Sequence, residues 1–199
     1  MKKLTFASVL ALCITVNSAS LNAQSNVLAS NTKKTETTAA KEDSFMERYF
    51  AMKESYPALT NLYGAYAASS ADKTKFMERY YAIKSSYPNL KDGHDNYAAS
   101  DHNMETFIKR YNEIKDSYPD MTKVYGDYAG SKKTLSEFTK RYFEVKDSSP
   151  SLSEYYGQYA ASDNTLTEFT SRYYGIKDSK SGMQHGYGEY AGSKKKLAK

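Results

Sequence analysis

The sequence predicts an all-α protein in which five tandem two-helix repeats stack as a short α-solenoid. A 31-residue period fills residues 45–199 without a gap, in copies 45–75, 76–106, 107–137, 138–168 and 169–199. Apolar residues in both halves of each copy follow the spacing of one helix face, and a proline separates the halves in four copies. Such a unit cannot bury its apolar face alone, so neighbouring copies are expected to stack.

The first 44 residues differ from the repeats. Residues 1–23 combine the basic start Met1-Lys2-Lys3 with an apolar run too short to span a bilayer, which is typical of a secretory signal peptide. Residues 24–44 are rich in Ser, Thr, Ala and charge and are predicted to form a flexible linker. Signal-peptide removal would also remove Cys13, the only cysteine, so the exported chain would contain no disulfide. We therefore expect a secreted, periplasmic or cell-surface protein.

The net charge of +5 does not come from the repeats. Residues 45–193 contain 19 Lys and Arg against 20 Asp and Glu, so the excess lies in the signal peptide, the linker and the last six residues. A near-neutral repeat region argues against a nucleic-acid partner. The sequence also predicts no membrane span in the repeats.

The first half of each copy is predicted to be an amphipathic helix. Counting from the Phe at position 0, apolar residues occupy positions 0, 4, 7 and usually 11, as in Phe107, Tyr111, Ile114 and Tyr118. Proline at position 12 is expected to end this helix. Thr134 with Glu137, and Thr165 with Glu168, have the spacing of a capping box at its start.

The second half of each copy is predicted to be another helix, with Leu or Met at position 14 and aromatics mostly at positions 18 and 21. Glycine at position 19 in four copies indicates close helix approach. Copy two has His94-Asp95 instead of Tyr-Gly, and copy five is glycine-rich and lacks the proline, so their second helices are expected to be weak. The paired helices resemble the architecture of tetratricopeptide repeats, but the 31-residue period and the residue pattern do not indicate membership of that family.

Catalytic chemistry is not predicted. The three histidines, His94, His102 and His185, do not recur in phase, and no nucleophile elbow, metalloprotease helix or Cys-His pair occurs. A catalytic site occurs once in a protein, whereas the recurrent polar and aromatic residues of this chain occur five times. We expect no enzyme activity, no cofactor and no metal site.

Two sets of recurrent cations form a candidate binding ladder: Arg48, Arg79, Arg110, Arg141 and Arg172 at position 3, and Lys53, Lys84, Lys115, Lys146 and Lys177 at position 8. One interpretation is structural: the cations lie at the margins of the core and pair with acids, such as Glu137 with Arg141 and Glu168 with Arg172. The other is a surface of Arg, Lys and Tyr that contacts sugars, peptides or an anionic polymer. The sequence leaves both open.

Copy one is the most apolar unit, although an end repeat normally needs a polar outer face. The solenoid is therefore predicted to be open at its amino-terminal end and to associate there, as a dimer or with a foreign partner, through Phe50, Leu59, Leu62 and Tyr63. We expect an exported scaffold for macromolecular interaction, adhesion or surface assembly whose partner is a protein or polysaccharide, including itself. The alternative is a soluble binder of a carbohydrate or peptide.

Overall fold

The computed structural model describes residues 44–90 and 92–197, so the predicted signal peptide and nearly all of the predicted linker lie outside the described residues. This part of the chain is helical and contains no β-strand. Its α-helices are α1 (Phe45–Ser55), α2 (Leu62–Ala68), α3 (Lys73–Ser86), α4 (His94–Ala99), α5 (Met104–Ser117), α6 (Tyr125–Gly130), α7 (Leu135–Ser148), α8 (Tyr156–Ala161), α9 (Leu166–Ser179) and α10 (Tyr187–Gly192). They pack in pairs, and each pair corresponds to one copy.

The odd-numbered helices confirm the predicted first helix of each copy. Capping boxes are present at Thr134 and Thr165, as predicted, and a third is present at Ser44. Position 11 is the C-cap in all five copies, and in copies one to four a proline follows it directly. Copy five stops at the same position, at Lys180, without a proline. The Phe at position 0 and the apolar residue at position 7 are fully buried in every copy.

The even-numbered helices confirm the predicted second helix of each copy but are short, with only six or seven residues each. Short 3₁₀ turns precede three of them, at Thr122–Val124, Pro150–Tyr155 and Gln184–Gly186. The predicted weakness of copies two and five does not appear in helix length, since α4 and α10 are as long as α6 and α8. Packing against neighbouring copies thus overrides the local composition.

The even-numbered helices form an inner ring and the odd-numbered helices surround it. Each even-numbered helix packs against its own odd-numbered partner and against the even-numbered helices of both neighbouring copies. This succession includes a contact between α10 of copy five and α2 of copy one. The five helix pairs therefore form a closed ring, whereas an open solenoid was predicted.

One aromatic contact recurs at each boundary between copies, including the closing one. The Tyr at position 21 meets the Phe at position 0 of the next copy edge to face, with ring centroids 5.3 to 5.5 Å apart at the first four boundaries. At the fifth, Tyr190 meets Phe45 at 5.2 Å. The backbone N–H groups of Phe45 and Met46 also donate to the carbonyls of Lys196 and Leu197, at 2.8 and 3.1 Å. These contacts join the two ends of the described chain.

Glycine at position 19 allows the inner helices to approach closely, as predicted. A Cβ atom on Gly157 would collide with the Asp127 carboxylate of the preceding copy. A Cβ atom on Gly64 would collide with the His185 carbonyl and lie 3.0 Å from the Glu189 side chain, both in copy five. The small residue at position 19 therefore makes room for the polar side chain at position 20 of the copy before it.

The boundary between copies one and two reverses this arrangement. Copy two has Asp95 at position 19, and copy one has the small Ala65 at position 20. Each of the five boundaries thus combines one small residue with one polar side chain. The pair Gly64 and Glu189 meets this rule only because copy five adjoins copy one.

Closure also corrects the predicted association face. Leu62 and Tyr63 are 0% and 4% exposed, and Leu59 is half-buried against the core. Only Phe50 remains exposed, at 42%. The apolar surface of copy one is therefore covered within the chain by copy five, so it does not provide an open end.

Candidate functional site

The five arginines at position 3 hold each copy together instead of forming an outward ladder. In every copy, Arg Nη2 donates to the carbonyl of the Tyr at position 21 and to the carbonyl at position 26, at 2.6 to 3.0 Å. The guanidinium carbon lies 4.0 to 4.2 Å from the centroid of the same Tyr ring. Arg48 is buried and the other four are half-buried. We call this arrangement the arginine clamp.

The clamp adds a charged donor to a carbonyl in the last turn of each short inner helix and connects it to a carbonyl in the loop that follows. The last four carbonyls of a helix lack intrahelical partners, and a nearby Arg can bond them with favourable dipole electrostatics. The Ser at position 24 caps the same turn, since its hydroxyl donates to the carbonyl at position 21 in every copy. The predicted pairing of Glu137 with Arg141 and of Glu168 with Arg172 is wrong. Each glutamate instead accepts hydrogen bonds from the threonine three residues before it, Thr134 or Thr165.

The five lysines at position 8 are exposed and form the outward part of the predicted ladder. Near them, four copies present an aromatic ring at position 5: Phe50, Tyr81, Phe143 and Tyr174, which are 41% to 50% exposed. Copy three has Asn112 instead. Ammonium groups of four of these lysines lie 5.3 to 5.9 Å from an aromatic ring at position 4 or 5 of the same copy. We call the four exposed rings with Lys53, Lys84, Lys146 and Lys177 the rim ladder.

A cavity of about 300 Å³ lies between the inner helices of all five copies. Its wall carries a serine at position 24 of every copy, and Ala or Gly at position 23. Besides these serines, its polar side chains are Asp95, Asn96, Asp127, Gln158 and Glu189. No basic and no large apolar side chain is among its lining residues.

A second cavity, of about 210 Å³, lies toward the other end of the inner helices. It shares Asp95, Asn96, Asp127 and Gln158 with the first cavity and extends to Asn61. The side chains at positions 19 and 20 therefore separate the two cavities. These side chains form the narrow polar centre of the ring.

Burial raises the pKa of three carboxyl groups at this centre. The pKa of Asp127 is well above its ordinary value because burial removes the carboxyl from water, and Asp95 and Glu189 add negative charge nearby. Burial raises the pKa of Glu189 to about 7, and the charge of Asp95 adds to this rise. Burial also raises the pKa of Asp95, although the backbone N–H of Asn96 donates to its Oδ1 atom at 2.9 Å.

Burial at the centre therefore shifts the pKa of all three carboxyl groups in the direction that favours their neutral forms. The cavity wall offers carbonyl, amide and hydroxyl oxygens but no cation, so it favours a neutral or positively charged molecule over an anion. Among the residues described, no group of three or more His, Cys, Asp or Glu is placed to bind a metal ion.

Two of the three histidines contact backbone carbonyls of different segments. The Nε2 atom of His94 lies 2.8 Å from the Tyr87 carbonyl, and that of His102 lies 2.7 Å from the Ser131 carbonyl. His102 thereby connects copies two and three. Within residues 44–90 and 92–197, none of the helices has both the length and the apolar character that crossing a membrane requires.

Sequence reasoning did not identify the side chains of the cavity, and of the four exposed rings of the rim it named only Phe50, as part of the association face. Position 20 changes from Ala65 to Asn96, Asp127, Gln158 and Glu189 while its neighbour at position 21 is always Tyr. A variable polar position beside a fixed aromatic was the available signal. At position 5, the recurrence of aromatic residues was visible, but helix spacing alone gave no measure of their exposure.

Comparisons with protein families, curated proteins and solved structures found no match to this chain.

Proposed function

We propose that the protein is an exported, non-enzymatic scaffold whose five 31-residue copies form one closed ring, and that it mediates macromolecular interactions outside the cell. The observation that carries this proposal is the rim ladder. Four copies expose an aromatic ring at the same position, beside a lysine that is exposed in all five. Single exposed apolar residues need no explanation, but their repetition around one body defines a surface with several equivalent sites.

A surface of this kind suits a partner that is itself repetitive. Aromatic rings give a large rigid contact with little entropy to lose, and the neighbouring ammonium groups donate hydrogen bonds. Several weak sites on one rigid body bind a polymer more tightly than any one site, because later contacts form within the same complex. A polysaccharide chain or an extended repetitive protein has the required form. The predicted alternative, a soluble carbohydrate or peptide binder, would use the same surface.

Binding of immobilised cell-surface polysaccharides and matrix proteins by the purified protein tests this function. A variant with Tyr81→Ala, Phe143→Ala and Tyr174→Ala should lose at least tenfold in apparent affinity, and each single variant should lose less. The matched control is Tyr87→Ala, because Tyr87 is 40% exposed but lies outside the rim ladder. Equal binding by the triple variant and the wild type would refute the rim ladder as the binding surface.

Export is tested separately, by mass spectrometry of the protein recovered from outside its own cells. A chain that begins within residues 19–24 is expected from the predicted signal peptide. Recovery of the unprocessed chain from the cytoplasm alone would contradict this part of the proposal.

A further inference from the structure

The cavity of about 300 Å³ between the inner helices has the features of a small-molecule site, and we call it the inner cavity. Ligand sites usually have volumes of roughly 300 to 1,000 Å³ and a few convergent polar groups. The residues at position 23 line the inner cavity and are small and half-buried in every copy: Ala68, Ala99, Gly130, Ala161 and Gly192. They form a mouth that solvent reaches. The polar centre of the ring lies at the opposite end, where the inner cavity meets the second cavity.

Packing at the boundaries between copies does not require the carboxyl groups at this centre. Position 20 is an amide in copies two and four, and these side chains, Asn96 and Gln158, line the same cavity as Asp127 and Glu189 of copies three and five. A buried carboxyl group without a counter-ion is costly. Among the described residues that line the inner cavity, none is basic. Costly groups that packing does not need are typical of functional sites.

The inner cavity also contains a buried acceptor that lacks a donor. The Oε1 atom of Gln158 is buried and has no hydrogen-bond partner in the part of the chain that the structure describes. The hydroxyls of the serines at position 24 are already used, because each donates to the carbonyl of the Tyr three residues earlier. The side-chain amide of Asn96 donates to the Asp92 carbonyl at 3.3 Å. A ligand with hydrogen-bond donors would therefore satisfy a group that these side chains leave unpaired.

A protonated primary amine fits this combination of acceptors and acids. An ammonium group has three donors and no acceptor, whereas a hydroxyl group has one donor and needs donors for its own lone pairs. Its charge is attracted to the carboxyl groups of Asp95, Asp127 and Glu189, and this attraction is stronger where water is largely excluded. A bound cation also opposes the effect of burial on their pKa values, because it favours the ionised forms. The small residues of the mouth leave room for an unbranched alkyl chain.

We propose that the inner cavity binds a short, unbranched aliphatic amine in its ammonium form, with the charged group beside Asp127, Gln158 and Glu189 and the alkyl chain toward the mouth. The ammonium group donates to Gln158 Oε1 and to the carboxylates of copies three and five. Residues of three successive copies thus share one ligand. This inference goes beyond the proposed function and does not depend on what the rim ladder binds.

Isothermal titration calorimetry of the purified protein with butylammonium chloride tests the site. The titration is made at pH 8, above the pKa of about 7 of Glu189. The wild type should bind one butylammonium ion per chain. Tetramethylammonium has the same charge but no N–H donor, and it should bind more weakly by roughly tenfold or more, as should potassium.

Two variants test the two ends of the cavity separately. Asp127→Asn with Glu189→Gln keeps the shape of the polar centre but removes two charges, and it should weaken butylammonium binding by roughly tenfold or more. Ala68→Leu narrows the mouth and leaves both carboxyl groups in place, and it should weaken binding to a similar extent. The matched control is Glu54→Gln with Asp178→Asn, which removes the same two charges from exposed residues and should bind like the wild type.

A wild type that does not bind butylammonium would overturn the proposal. Unchanged binding by either cavity variant would also overturn it, as would equal affinity for all three cations, which indicates a general attraction of positive charge. Far-ultraviolet circular dichroism and thermal melting establish that the variants keep the fold. The variant that lacks the aromatic rings of Tyr81, Phe143 and Tyr174 is expected to bind butylammonium normally, so failure of amine binding and failure of the proposed function give different results.

Discussion

Replacing Arg48 with Met should destabilise the protein strongly, although sequence reasoning placed this residue at the edge of the core. Arg48 is 6% exposed and donates to the carbonyls of Tyr66 and Ala71 at 3.0 and 2.6 Å. A hydrogen bond to a charged group contributes about 1.5 to 3 kcal/mol, and the substitution leaves two carbonyls without this donor. Burying the guanidinium offsets part of this gain. We therefore expect the free energy of unfolding to fall by about 3 kcal/mol.

Urea denaturation followed by far-ultraviolet circular dichroism measures this change as a lower midpoint at an unchanged slope. Lys53→Met is the matched control, because Lys53 lies on the same helix but is exposed, and its loss should cost less than about 0.5 kcal/mol. Arg48→Lys should recover little, since a single ammonium does not reproduce the planar fork of donors. Equal midpoints for Arg48→Met and Lys53→Met would refute the clamp as a source of stability.

Three further predictions concern the inner ring and the core. Gly64→Val should reduce stability by more than 2 kcal/mol in thermal melting, because its Cβ atom would collide with copy five. Gly175→Ala should raise stability by about 0.5 to 1 kcal/mol, since nothing lies near its Cβ atom and Ala favours the helix. Phe107→Ala should cost about 3 to 5 kcal/mol in urea denaturation, because its ring is fully buried. The raised pKa of Glu189, about 7 against an ordinary 4.5, means that stability is highest below pH 4.5 with respect to this group and is lost as the pH rises to 7. Glu189→Gln should remove this loss, which is on the order of 2 kcal/mol after allowance for partial exposure. Thermal melts at pH 5 and pH 7.5 measure it, and a pH dependence unchanged from the wild type would contradict the assignment.

The sequence predicted local structure well because caps and prolines act within a few residues. The Thr134 and Glu137 pair defines the start of α7 by contacts three residues apart. The inward position of Arg48 depends on carbonyls 18 and 23 residues later, one in the last turn of a different helix and one in the loop after it. Helical spacing placed this side chain beside the apolar stripe, but spacing does not show which carbonyl groups the partner helix and its loop present. The inward position of the arginines therefore required the structure.

Ring closure was not predicted for a related reason. A period states that each copy repeats the same contact with the next, but not the rotation between copies that determines whether the fifth meets the first. The signal was present in Ala65 and Asp95, which exchange the sizes found at positions 20 and 19 of the other boundaries. Its meaning depends on Gly64 lying against Glu189, a contact between residues more than a hundred positions apart.

Contact between Tyr190 and Phe45 is the most direct test of the closed ring. Their ring centroids lie 5.2 Å apart, so nuclear Overhauser effects between their aromatic protons should appear in the monomeric protein and persist on dilution. The equivalent pair of Tyr66 and Phe76, at 5.4 Å, provides an internal control in the same spectrum. A mixture of labelled and unlabelled chains distinguishes contacts within one chain from contacts between chains. We predict that both pairs give cross-peaks of similar strength within one chain; a cross-peak from Tyr66 and Phe76 without one from Tyr190 and Phe45 would contradict closure.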